Sequence, residues 1–176
     1  NPYNRHGDLS RRGMYRPIGI NRNNFVAITQ LRPYMPHDLQ GVEWIAVGSN
    51  TFNEAVPFYA HINATPAYLA NTTGDVTTES FYWANRIVAA MADAHYPACL
   101  AHVERYQLAL STAGHAMLKR FDEQYLAAPE KDAAAYLTAC NQQLADKARE
   151  LTDDLLSKVL FSASMEMKNG FARSDS

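Results

Sequence analysis

The stretch EWIAVGSNTFNEAVPFY, Glu43 to Tyr59, sets a small polar cluster between two runs of strand-forming residues. β-Branched and aromatic side chains suit a pleated, half-buried surface, whereas Gly, Ser and Asn supply turn geometry. The pattern therefore reads as two strands joined by a turn at Gly48 to Ala55, and it leaves open whether that turn is an ordinary hairpin or the lip of a site.

Working outward, Phe25-Val26-Ala27-Ile28-Thr29-Gln30-Leu31 is a further strand, bounded by Asn23-Asn24 and by Arg32-Pro33. It and Glu43 to Val47 are both expected to be well buried. Met14 to Ile20 and Val56 to Ile62 are weaker strands, because Pro17 and Pro57 lack the N–H that a central ladder position donates. They belong at edges, bulges or strand starts. Short turn-rich links between these runs favour antiparallel pairing, since parallel neighbours need a long crossover.

Near residue 75 the hydrophobic period changes from two to three-and-four, so strands give way to helices. Thr78 is the expected N-cap of a first helix through SFYWANRIVAAMADAH, with Glu79 in its first turn. Pro97 suits the first turn of a second helix. In that helix Val103, Tyr106, Leu110, Gly114, Met117, Phe121 and Tyr125 form one apolar stripe. Pro129 ends it. A third helix, with Glu130 and Asp132 in its first turn, repeats the pattern at Leu137, Cys140, Leu144, Ala148, Leu151, Leu155 and Val159. Eleven residues per three turns is about 3.67 per turn, so the two helices can lie side by side without a heptad's left-handed supercoil. An antiparallel helical hairpin follows, with its connection at Ala127 to Pro129 and with Gly114 letting the partner helix approach closely. The fold class is α+β: a strand-rich part over 1–75, a helical part over 76–168 and a tail over 169–176.

Composition limits what such a fold does. The chain has 176 residues, enough for one domain, and 16 Lys and Arg against 18 Asp and Glu leave no field that would hold a polyanion. Nucleic acid is not an expected partner: Arg11, Arg12 and Arg16 form a short basic cluster in an Asn- and Gly-rich loop. No apolar run reaches the ~18 residues of a spanning helix, and the N-terminus lacks the pattern of a signal peptide. Cys99 and Cys140 both fall in helical patterns, too few for a stapled secreted fold. A soluble protein in the reducing cytoplasm, with no membrane contact, is expected. The opening Asn1-Pro2, without an initiator Met, suggests a portion of a larger protein.

Catalytic motifs are scarce. There is no HExxH, no zinc-spaced Cys/His group, no GxSxG elbow, no SxxK and no phosphate-binding glycine loop. His61 and Glu54 flank the Val56 run and face no recognisable nucleophile. Cys99 lies among Ala and Leu, and Cys140 sits on the apolar stripe, so both read as core side chains rather than thiolates. Arg86 reads as a surface cation of the first helix, beside a core-facing Trp83.

Three blocks, MYRPIGINRNNFVAITQLRP, GVEWIAVGSNTFNEAVPFYAHINATPAYL and FYWANRIVAAMADAH, occur in this order. Together they resemble the dipeptidase A type of cysteine dipeptidase, N-terminal nucleophile hydrolases distantly related to penicillin V acylase and secernin. The resemblance runs from about Asn1 to about His95 and implies the C-terminal portion only. It implies a four-layer αββα sandwich, an N-terminal cysteine nucleophile with its own α-amino group as base, hydrolysis of dipeptide substrates, and no metal or organic cofactor. Asn1 departs from that pattern, since an amide carries no nucleophile, so the resemblance places the attacking thiol on an N-terminal portion of the same protein. A surface left by that portion also favours a homo-oligomer.

Given the resemblance, Asn50 is a candidate donor to substrate or oxyanion, Tyr59 a candidate pocket wall, and Arg16 and Arg32 candidate receivers of a dipeptide carboxylate. The competing readings are a turn-closing Asn for Asn50 and ion pairs for the arginines. At the level of function, two readings remain: the C-terminal portion of a dipeptidase, or a non-catalytic binding or assembly module that uses its helical hairpin.

Overall fold

The computed structural model describes residues 23–167. Met14 to Ile20, the basic cluster and Arg16 lie outside them. Strands β1 (Phe25–Leu31), β2 (Gly41–Val47) and β3 (Val56–Tyr59) form a three-stranded antiparallel sheet in the order β1-β2-β3. Helices α1 (Ala67–Ala70), α2 (Phe81–Ala94), α3 (Tyr96–Ala127) and α4 (Ala133–Met165) follow. The fold is therefore α+β, with antiparallel strands first and long helices after. No helix among the described residues is long and apolar enough to cross a membrane.

The register Ile28↔Trp44↔Pro57 runs straight across the sheet. Because side chains alternate, Ile28, Trp44 and Pro57 share one face with Gln30, Val42 and Tyr59. That face meets the helices: the Trp44 ring lies 4.7 Å from that of His115 on α3, and Trp44 Nε1–H donates to Gln30 Oε1 at 2.9 Å. β2 and β3 are largely buried, but β1 is not. Phe25, Ile28 and Leu31 are 59%, 58% and 76% exposed, because β1 is an edge strand whose outer side is unpaired among the described residues.

The helices depart from expectation at their ends. α2 begins after Ser80, not Thr78, and Glu79 lies ahead of the helix, where it pairs with Arg149 at 2.5 Å. Trp83 is half-buried and donates to Thr73 O at 2.8 Å, so the core side of α2 belongs to Phe81, Ala84, Val88 and Ala92 instead. Pro97 does stand in the first turn of α3. α4 begins at Ala133 with Asp132 as its cap, the carboxylate accepting Ala135 N–H at 2.9 Å. An acid one residue before a helix satisfies an orphan N–H, which one inside the first turn does not.

α3 and α4 form the antiparallel hairpin. Tyr136 Oη donates to Phe121 O at 3.1 Å near the connection, and Tyr106 and Thr152 hydroxyls meet at 3.1 Å farther along. The apolar stripes are the buried faces, with Leu118 and Thr152 more deeply buried than their neighbours Met117 and Leu151. Gly114 does allow close approach, but of the sheet and not of α4: a Cβ there would lie 2.8 Å from Pro57 Cδ. The proline ring on β3 occupies the space that glycine leaves on α3.

That contact gives a signed prediction. Gly to Ala in a helix interior ordinarily stabilises by about 1 kcal/mol. Here the methyl must displace a ring fixed in a strand, an overpacking cost of about 1–3 kcal/mol. Gly114→Ala is expected to lower the denaturant midpoint without changing the slope; a raised midpoint would show that Pro57 yields freely.

Candidate functional site

The link from β2 to β3 is an ordered loop, Gly48 to Ala55, not a tight two-residue turn. Gly48 turns the chain with φ +79°, a conformation that glycine adopts without strain, and a Cβ there would press on Asn85 at 3.1 Å. Phe52 N–H then closes a turn on Ser49 O at 3.0 Å. Phe52 is buried against Tyr96 with ring centroids 6.2 Å apart. Asn53 Nδ2 donates to Val47 O at 2.6 Å, and Gln107 on α3 donates to Thr51 O at 3.2 Å and Asn53 O at 3.0 Å. The backbone of the loop is thereby held from below by the helical layer.

Asn50 sits within this turn without bonding across it; Asn53 instead ties the loop back to the end of β2. Asn50 Oδ1 is buried and has no hydrogen-bond partner among the described residues. An unmet buried acceptor costs about 1–3 kcal/mol, so it marks either strain or a group waiting for a partner.

Tyr59 and Arg32 come together at the opposite end of β3. Arg32 is 4% exposed and grips Asp122 with two nitrogens, Nη1 to Oδ2 at 2.5 Å and Nη2 to Oδ1 at 3.2 Å, while Nη2 also donates to Leu39 O at 2.5 Å. Tyr59 Oη donates to the same Asp122 at 2.8 Å, and the guanidinium lies 5.8 Å from the Tyr59 ring centre. The carboxylate that Arg32 receives is thus the protein's own. Tyr59 likewise walls a buried network, not an open pocket. Burial first, and then the bond to anionic Asp122, push the Tyr59 phenol well above its ordinary value of 10.0.

Asp122 and Asn141 are the partners that sequence reasoning missed. Asn141 on α4 accepts Tyr59 N–H and donates to Tyr59 O, both at 2.9 Å, so one side-chain amide imitates a neighbouring strand. Both residues flank stripe positions of long helices, and nothing local distinguishes them from ordinary polar neighbours.

Other sequence candidates separate. His61 Nε2 approaches Asp38 Oδ1 at 3.8 Å, whereas Glu54 accepts from Ala55 N–H at 2.8 Å, so the two do not meet. Cys99 and Cys140 are free and buried, and burial raises both thiol pKa values, opposite to what a nucleophile needs. Among the described residues no group of three or more His, Cys, Asp or Glu side chains is placed to hold a metal ion.

Comparison with known proteins adds to this geometry. The sequence model of Peptidase family C69 matches residues 1–109. A dipeptidase of Bifidobacterium longum is 40% identical over 99% of this chain, a probable dipeptidase A of Streptococcus pyogenes serotype M18 is 40% identical over 99%, and a dipeptidase A of Lactobacillus helveticus is 30% identical over 90%. The alignments cover 40%, 36% and 34% of those relatives, so the chain spans well under half of their length.

The buried network predicts a pH and a mutational signature. Tyr59, Tyr68 and Tyr106 all have raised folded-state pKa values, chiefly through burial. Their stabilising contribution is complete below the unfolded value near 10.0 and is lost as pH climbs above it, because only the unfolded chain releases these protons. Each such tyrosine is worth about 1.4 kcal/mol per pH unit there. Denaturation between pH 8 and 11 should show stability falling above about pH 10, with a shallower fall in Tyr59→Phe. Asp122→Ala, which strands Arg32, is expected to cost about 3–5 kcal/mol at pH 7.

Proposed function

This chain belongs to peptidase family C69, and from that membership we propose that it is the C-terminal, substrate-holding portion of a cysteine-type dipeptidase. The attacking thiolate comes from a cysteine at the head of a preceding portion of the same protein, with its α-amino group as base. The reaction is acyl transfer: sulfur attacks the peptide carbonyl, the amine leaves with a proton, and water releases the acyl-enzyme. Neither thiol described here suits that role, since both are buried with raised pKa values.

The observation that carries this chain's part is the Asn50 side chain, its Oδ1 unpartnered, on a clamped loop. Asn50 as a residue is only half-buried, so with Oδ1 turned inward the Nδ2–H of its amide is the proposed donor to an oxyanion. Donors fixed before the reaction stabilise developing charge without reorganising. Arg16 is the proposed receiver of the dipeptide carboxylate. Arg32 and Tyr59 act at the far end of β3 from that loop, fixing β1 and β3 to α3 through Asp122.

The preceding portion is proposed to cover β1. On the other edge Pro57 has no N–H to offer and the Tyr59 peptide is taken by Asn141, so among the described residues β1, with its exposed Phe25, Ile28 and Leu31, is where the sheet can grow. The assembled protein is an αββα sandwich of the N-terminal nucleophile type, and its reduced cysteines suit the cytoplasm.

The whole gene product is expected to hydrolyse dipeptides, to survive metal chelation, and to lose activity when its leading cysteine becomes alanine. Asn50→Ala should lower kcat by about 10²–10³ with intact folding. Activity that outlives loss of that cysteine overturns the mechanism. A folded, inactive whole protein with a stoichiometric partner would instead support a binding module.

A further inference from the structure

The face of the sheet turned away from the helical hairpin carries a cavity of about 340 Å³. Phe25, Ile45 and Val47 supply its sheet wall by strand alternation, and Leu69, Phe81 and Tyr82 close it from α1 and α2. The polar groups on its described lining are those of Asn24, Thr65, Thr72 and the Tyr82 hydroxyl, and none of the described lining residues bears a charge. A concave, mostly apolar space of ~300 Å³ or more with a few polar groups is the usual form of a small-ligand pocket.

Its position ties it to the Asn50 loop. Val47, on the pocket wall, is the last residue of β2, and Asn24 O accepts Gly48 N–H at 3.0 Å, so the rim is bonded to the first residue of that loop. Asn50 lies three residues on from Val47, at most ~11 Å when fully extended. A peptide carbonyl resting at Asn50 therefore has a neighbouring side chain within reach of the cavity.

Resting on the dipeptidase reading above, we propose that this cavity is a side-chain subsite that selects dipeptides carrying an apolar residue such as Leu, Met or Phe. The lining chemistry favours that class over its rivals. A Lys, Arg, Asp or Glu side chain would lose its water here without a countercharge, whereas an apolar side chain gains by burial.

The test uses the whole gene product and two lining positions that bear on cavity size in opposite directions. Thr65 is exposed at the mouth, so Thr65→Trp narrows the cavity without touching the core; Leu69→Ala widens it. Measured on Phe-Ala, Leu-Ala, Ala-Ala and Asp-Ala with their reversed sequences, wild type should prefer the apolar members in one of the two orders. Thr65→Trp is expected to lower kcat/KM for the Phe and Leu dipeptides at least tenfold relative to Ala-Ala, mainly through KM. Leu69→Ala should shift preference from Leu toward Phe, and thermal unfolding of both variants reports whether they fold. Dipeptide hydrolysis whose side-chain preference neither variant alters overturns the subsite and leaves the dipeptidase reading standing. A folded wild-type protein that cleaves no dipeptide overturns both.

Discussion

Tyr59 is the point at which the sheet is fastened to the helical hairpin. Its peptide is bound at both N–H and C=O by Asn141 of α4, and its hydroxyl is bound by Asp122 of α3. Asp122 in turn holds Arg32 at the end of β1. One strand-end residue thus joins both long helices and, through a shared carboxylate, the far strand. The ion pair is nearly dry, and charges in such places are tolerable only when paired and hydrogen-bonded. Removing any member leaves another unsatisfied, so the network fixes one relative placement of sheet and hairpin.

That placement gives the sheet two unlike edges. Along β3 the outward-facing groups belong to Pro57, which has no donor, and to Tyr59, whose groups Asn141 has taken. Pro57 also seats against Gly114, so the residue that blunts the edge is the one that locks strand to helix. Along β1 no proline, bulge or side-chain amide performs this service among the described residues. Protein sheets ordinarily guard such edges. The asymmetry is a property of side chains and not of backbone geometry, and it gives the sheet a direction.

Much of this was legible in sequence, and what was not has a common cause. The period change near residue 75, the strand Phe25 to Leu31 and the matched stripes of α3 and α4 follow from hydrophobic spacing, which encodes the face that is buried. Spacing does not say what lies against that face, so sequence alone gives Gly114 the wrong neighbour and buries β1. The site suffered more. Asn50 and Asn53 are alike in type and three residues apart, and only the path of the loop decides which is bonded back to β2 and which keeps an unmet oxygen. Asp122 and Asn141 act on Tyr59 across 63 and 82 residues of sequence, a separation at which no local pattern survives.

The distribution of unsatisfied chemistry makes a final point about division of labour. The thiols lie in the core of the helical layer, where burial holds them protonated, and the acid and guanidinium of the network are paired with one another, though Arg32 Nε lacks a partner among the described residues. Groups able to make or break bonds are thus occupied in holding the fold. The amide of Asn50 is the contrary case. It stands on a loop braced by Gln107, Asn53 and Phe52, so its position is fixed while its Oδ1 is unmet. A rigid frame around an unfilled acceptor or donor retains its geometry whether or not a partner is present, and preorganisation of this kind strengthens binding because the ordering cost falls on folding rather than on the encounter. The proposed role of the loop thereby depends on the helical layer that braces it from below.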